Sequence, residues 1–193
     1  MSRGYIPGKN TEGYSDPTAA EAMRSIQRSI QGLQSRRAGE SFESLIESSL
    51  KWYELHGYAS IEKTPEPMRP LRRPNRQGQF LACYVKSAQP DFKGTLAGGR
   101  SVVFEAKHTD SDRIEYSCLT DEQIEKLRVH HALGAVCFVL VEFGLQDYFR
   151  IPWEIWSAMK EIYGHKHMKR SECEPYRVKY TSGVLKLLEG IKL

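Results

Sequence analysis

Apolar positions along this chain change period several times, and each change marks an element. Met23, Ile26, Ile30 and Leu33 recur at helical spacing behind Asp16-Pro17, a good helix start, and predict a first helix. Arg36-Arg37-Ala38-Gly39 interrupts it. A second helix is predicted from Ser41 to His56, with Phe42, Leu45, Ile46, Leu50 and Tyr53 on one stripe and Gly57 as its stop. Glu43 and Glu47, four apart, share a side of it. Tyr58–Lys63 predicts a short strand. Pro65, Pro67, Pro70 and Pro74 then break regular structure, and alternation returns over Gly78–Val85. Val102–Lys107 is a strand bounded by Gly98-Gly99 and a polar stretch.

Thr120 caps a helix running to about His131, with Gln123 at the capping-box position. The continuous run Ala135–Val141 is a strand covered on both faces. A helix between two strands implies a right-handed parallel crossover. Tyr148–Ile151 is another strand, and Pro152 opens a helix with Trp153, Ile155, Trp156 and Met159 as core or dimer contacts. His108–Cys118 is predicted as a polar connection, His165–Arg170 as a basic loop, and Tyr176–Tyr180 as a strand. Met1–Ser15 has no periodicity and is expected to be an arm.

Composition narrows the class. The 193 residues can bury one core, and the formal charge is +4. The distribution matters more than the sum. Arg69, Arg72, Arg73 and Arg76, then Lys86 and Lys93, form a basic cluster with few acids between, which points to a polyanionic partner. Four cysteines without C-x-x-C spacing are expected to be free thiols. A zinc site from His165, His167 and Cys173 has weaker support than a solvated basic loop. No apolar run is long enough for a membrane span, and the expected location is cytoplasmic.

The chemistry gathers at the strand Val102–Lys107. Alternation places Val103, Glu105 and Lys107 on one face and Val102, Phe104 and Ala106 on the other. A turn centred near Gly98 sets Asp91 opposite Glu105 on the neighbouring strand. Two carboxylates brought together repel unless something neutralises them. A divalent cation is the usual answer, and Mg2+ takes one or two carboxylates while keeping waters. Such an ion activates water against a phosphodiester, and the Lys107 ammonium beside it can orient that water. A surface hairpin with a Glu105–Lys107 ion pair is the plainer alternative.

Asp91 followed by Glu105-Ala106-Lys107 resembles the D…ExK signature of the PD-(D/E)XK nucleases. The wider stretch is similar to RecU-type Holliday junction resolvases. It carries Asp91-Phe92-Lys93-Gly94, Phe104-Glu105-Ala106-Lys107 with Thr109, Gly39-Glu40-Ser41-Phe42-Glu43 at a helix start, and Gln123-Ile124 on a later helix. These elements cover roughly residues 38–151. Family members often have Arg directly before the Gly; Ala38 stands there, with Arg37 one residue earlier.

The resemblance implies an α/β, restriction-endonuclease-like core with a mixed central sheet flanked by helices. It divides the chain into an N-terminal arm and helix (1–37) and a nuclease domain (38–193). A Pro/Arg-rich stalk, inserted at about 65–85, enters branched DNA. The implied metal ligands are Asp91, Glu105 and the Ala106 carbonyl, for Mg2+ with Mn2+ as an alternative. Lys107, Glu43 and Gln123 join the catalytic set. Gln123 is thereby given two claims, helix cap and substrate contact, which compete. Arg69, Arg72, Arg73, Arg76, Lys86 and Lys93 would bind phosphate, and Phe80 and Tyr84 would stack on unpaired bases. The implied assembly is a homodimer cutting a four-way junction. The alternatives are another PD-(D/E)XK nuclease of restriction or repair type, and a non-catalytic DNA-binding protein of the same fold.

Overall fold

The strand that carries Glu105 lies third in a six-stranded sheet. The computed structural model describes residues 41–65, 68–84, 89–144 and 147–191. A helix, α1, runs through residues 41–55. The sheet contains β1 (Ala59–Lys63), β4 (Phe92–Leu96), β5 (Ser101–Thr109), β7 (Val136–Phe143), β8 (Asp147–Pro152) and β10 (Arg177–Val178), in that spatial order. All neighbours are antiparallel except β5 and β7, which run parallel. Helix α2 (Asp121–Ala132) makes the crossover between them, as parallel strands require. The sheet is therefore mixed, as expected.

Alternation along β5 sorts the core into two layers. Val102 and Phe104 face α1, where Phe42, Ile46, Leu50 and Tyr53 are buried against them. Phe92, Phe104 and Phe138 stack across three adjacent strands, with ring centroids 4.8 and 4.6 Å apart. Val103, Val139 and Val141 face the other way, onto Leu127 of α2 and onto Trp153, Trp156 and Met159. Those last three belong to the broken pair α3 (Trp153–Ser157) and α4 (Met159–Tyr163). They are core residues, and the single helix expected after Pro152 divides at Ala158.

Glycine sets the geometry of the central hairpin twice. Gly98 and Gly99 both take φ +89°, a conformation that L side chains avoid, and so close β4 onto β5. Gly94 lets β1 lie tight on β4: a Cβ there would fall 2.1 Å from the Ser60 carbonyl oxygen.

Three short strand pairs lie outside the regular pattern expected. Met68–Pro70 (β2) pairs with Ala82–Tyr84 (β3), forming a hairpin separate from the main sheet. Pro70 thus ends a strand instead of breaking it, and Phe80 and Leu81 precede β3 instead of belonging to it. Within the region expected to be a polar connection, Arg113–Glu115 (β6) pairs with His167–Lys169 (β9). The basic loop expected at 165–170 therefore contains a strand, and it leads into α5 (Arg170–Cys173). Ile114 and Met168 face each other in that pair and are both buried, which explains why it forms. The expected strand at Tyr176–Tyr180 is split between β10 and β11 (Tyr180–Thr181), which pairs with β12 (Val184–Leu185). The N-terminal helix, Arg37, Ala38 and Gly39 lie outside the described residues.

Candidate active site

The β4–β5 register pairs Phe92 with Phe104. One residue further on, Asp91 stands opposite Glu105, as the turn at Gly98 predicts. Ala106 N–H donates to Asp91 Oδ2 at 3.0 Å, fixing the carboxylate against the strand. N–H and C=O of one residue point to the same side of a strand, so the Ala106 carbonyl also points past the start of β4. Lys107 Nζ lies 3.4 Å from Glu105 Oε2 and 3.7 Å from Asp91 Oδ2. The two acids and the lysine therefore meet on the α2 face.

Their environments differ in a way that matters chemically. Glu105 is completely buried, whereas the side chains of Asp91 and Lys107 are 29% and 20% exposed. Glu105 Oε2 accepts from Gln123 Nε2 at 2.5 Å, while its Oε1 is buried with no hydrogen-bond partner. Burial first, and then the charge of Asp91, push the Glu105 carboxyl up to about 8, with Lys107 pulling it back. An ionised carboxylate here lacks a counter-charge on one oxygen. A hard cation would supply it. Two carboxylates and a main-chain carbonyl form a donor set suited to an ion that keeps several waters. Among the described residues, no three His, Cys, Asp or Glu side chains converge on one point as a metal site made of side chains alone would need. His165 and His167 stack at 3.9 Å instead, and Cys173 is fully buried.

Gln123 resolves its two claims by using both ends of its amide. Its Oε1 accepts from Thr120 N–H at 3.1 Å, and its own N–H donates to Thr120 Oγ1 at 3.2 Å, completing the capping box. Its Nε2 remains free for Glu105. Cap and site contact therefore coexist, because acceptor and donor lie on different atoms.

Glu43 is not brought onto these acids. It sits on α1, across the sheet from Glu105, and its Oε2 accepts from Lys63 Nζ at 2.6 Å. Thr109 Oγ1 accepts from Ser111 N–H and shapes the turn that ends β5. Arg69, Arg72, Arg73 and Arg76 are exposed on the β2–β3 hairpin, and among the described residues none has an acidic partner. Asn75 closes its tip, accepting from Gln77 and Gln79 N–H, both at 2.9 Å. Phe80 is half exposed. Lys93 is exposed two residues beyond Asp91 on the same face of β4 and bonds Gln89. Lys86 and the Tyr84 side chain lie outside the described residues.

Sequence reasoning missed the Lys63–Glu43 ion pair because it is tertiary. Lys63 ends β1 beside Phe92, and Thr64 N–H donates to the Asp91 carbonyl at 2.8 Å. Its position on the strand next to Asp91 was the signal available.

An acid at the start of one central strand, Glu-x-Lys along the next, and a mixed sheet with a parallel crossover together define a nuclease of the PD-(D/E)XK class. The family model described as Recombination protein U matches residues 37–192, and the chain belongs to that family. The match therefore extends well beyond the region, 38–151, in which the motifs are visible. Among curated relatives, the Holliday junction resolvase RecU of Streptococcus sanguinis is 29% identical over 143 residues, covering 70% of this chain and 71% of the relative. That of Bacillus licheniformis is 25% identical over 163 residues, covering 80% and 81%. A solved structure of Archaeoglobus fulgidus Hjc, a Holliday junction resolvase, matches with 12% identity and a TM-score of 0.42, covering 69% of this chain and 93% of that one.

Proposed function

We infer that this chain is an endonuclease that resolves four-way DNA junctions by divalent-metal-dependent hydrolysis, with Mg2+ as its ion and Mn2+ able to replace it. Membership of the family of junction resolvases supports the reaction class. The observation that carries the chemistry is the meeting of Asp91, Glu105 and Lys107, with Glu105 Oε1 buried and unpaired. A protein that only bound DNA would have no use for that costly carboxylate.

Asp91, Glu105 and the Ala106 carbonyl would hold the ion, which when bound would supply Lewis-acid polarisation of the phosphate and a more acidic water. Gln123 keeps Glu105 aimed by donating to Oε2, so the other oxygen stays available. Lys107, held beside both acids, orients the attacking water and offsets charge that builds on the phosphate. Glu43 is held in an ion pair with Lys63. The exposed arginines of the hairpin bind phosphates, and Phe80 offers a stacking face for an unpaired base. Two copies related by a two-fold axis suit a substrate with that symmetry. Among the described residues no helix is long and apolar enough to cross a membrane, which is compatible with work on cytoplasmic DNA.

A synthetic four-way junction and a linear duplex of matched sequence test the reading together. Mg2+-dependent symmetric nicking of the junction is expected, with Asp91→Asn at least a thousandfold slower but still binding DNA. Equal cutting of the linear duplex would overturn junction selectivity. Cutting that survives Asp91→Asn would overturn the site.

A further inference from the structure

The outer surface of α1 is divided lengthwise. At 3.6 residues per turn, its charged residues Glu43, Glu47, Lys51 and Glu54 fall on one side. The other side carries Ser41, Leu45, Ser48, Trp52 and Leu55, and no charge. Leu55 is 79% exposed, and Leu45 and Trp52 are only partly covered by the core. Ser48 donates its hydroxyl to the Ser44 carbonyl at 2.9 Å, so covering it strands no donor there. At the far end of the flank, Trp52 walls a cleft of about 270 Å3 with Tyr58, Leu96, Leu188 and Ile191. The Trp52 ring is held in place by His56, stacked at 4.2 Å, and by the Lys186 ammonium, 3.8 Å from its centre.

The chain supplies a matching element. Residues 16–33 precede α1, outside the described residues and outside the family match. Their stripe Met23, Ile26, Ile30 and Leu33 predicts a helix with one apolar side. Residues 34–40 join it to α1, a connection length usual between antiparallel helices. Folding back about residue 37 sets Ile30 beside Leu45, Ile26 over Ser48 and Met23 beside Trp52. A bulky side chain then meets a small one at mid-flank, and apolar pairs meet on either side of it. At 1.5 Å per residue, the helix from Pro17 to Leu33 spans about 25 Å and α1 about 22 Å, so the two match in length. A second copy carries the same stripe, but the short tether holds the chain's own segment at an effective concentration of about millimolar.

We propose that residues 17–33 fold back as a helix along the uncharged flank of their own α1, closing over Leu45 and Trp52. The residues before Asp16 then depart at the Leu55–Tyr58 end. That is the Leu96 end of β4, away from Asp91 and Glu105.

Disulfide trapping in the full chain tests the register. Ile26→Cys with Ser48→Cys is expected to close at least tenfold faster than Arg24→Cys with Ser48→Cys, because Arg24 lies on the opposite side of the expected helix. In a mixture of isotope-labelled and unlabelled chains, peptide mapping should find the 26–48 bond only between peptides of the same isotope. Mixed-isotope pairs would make a second copy the occupant and overturn the proposal. Equal rates for the two cysteine pairs, or no bond, would overturn it as well. Hydrogen exchange on the unsubstituted protein is the second measurement, and it holds even if the cysteine variants fold poorly. Amides 20–33 should exchange at least tenfold slower than an unstructured peptide, and exchange at the unstructured rate would overturn the proposal.

Discussion

Glu105 is where the energetic cost of the site is concentrated. It is a fully buried acid on a core strand, and its carboxyl titrates at about 8 instead of at the ordinary 4.5. Between about pH 4.5 and 8 the folded metal-free protein therefore keeps a proton there that the unfolded chain has lost. Stability from this group is fully present below about pH 4.5, declines as pH rises through that window, and is gone above about 8. Glu105→Gln mimics the protonated form at every pH. In metal-free buffer, the variant's melting temperature should exceed wild type by an amount that grows from near zero at pH 4.5 to its largest value at about pH 8. A tenfold change in proton affinity corresponds to about 1.4 kcal/mol, so the gain can reach a few kcal/mol. A pH-independent difference would mean that Glu105 is not protonated in the folded state.

This residue was legible from sequence because alternation along a nine-residue strand fixes which side chains share a face. Asp91 was legible for the same reason, once the glycine turn set the register. Lys63 and the true partner of Glu43 were not. Both depend on how α1 lies on the sheet, and a helical charge four residues from another has no sequence mark of its tertiary partner.

Among the elements, α2 couples stability to chemistry through one side chain. Thr120→Ala removes the cap and should cost about 1 kcal/mol, with cleavage nearly unchanged. Gln123→Glu retains an acceptor for Thr120 N–H but loses the donor to Glu105, so cleavage should fall at least tenfold while the melting temperature holds. The two variants thus separate cap from site, and the reverse ordering would refute the double role. Helix α2 and β7 could be read from sequence because each is long and carries an unbroken signal, a capping box in one and the continuous apolar run Ala135–Val141 in the other. The β6–β9 pair could not. Each strand has three residues, and each buries one apolar side chain between charged or polar neighbours, which is too short for a period to emerge.

At the scale of the molecule, the proposed catalytic residues lie on the central sheet, while Arg69, Arg72, Arg73 and Arg76 stand exposed on the separate β2–β3 hairpin. Replacing Arg72, Arg73 and Arg76 together by Ala should weaken junction binding and flatten its salt dependence. The slope of log affinity against log salt should fall by about 0.9 for each phosphate that is no longer neutralised. Thermal stability should be unaffected, since these side chains are exposed. An unchanged salt slope would assign junction binding to another surface.

The hairpin has one more consequence, for how the chain folds. Residues 65–90 separate two strands that must pair, β1 and β4, and an open loop of that length would cost substantial chain entropy to close. Because the insertion zips onto itself through β2 and β3, its two ends arrive together, and Thr64 already bonds Asp91 across the gap. The nucleus of the fold sees a short tether. Evolution can therefore lengthen or trim that arm while the sheet beneath assembles at nearly the same speed.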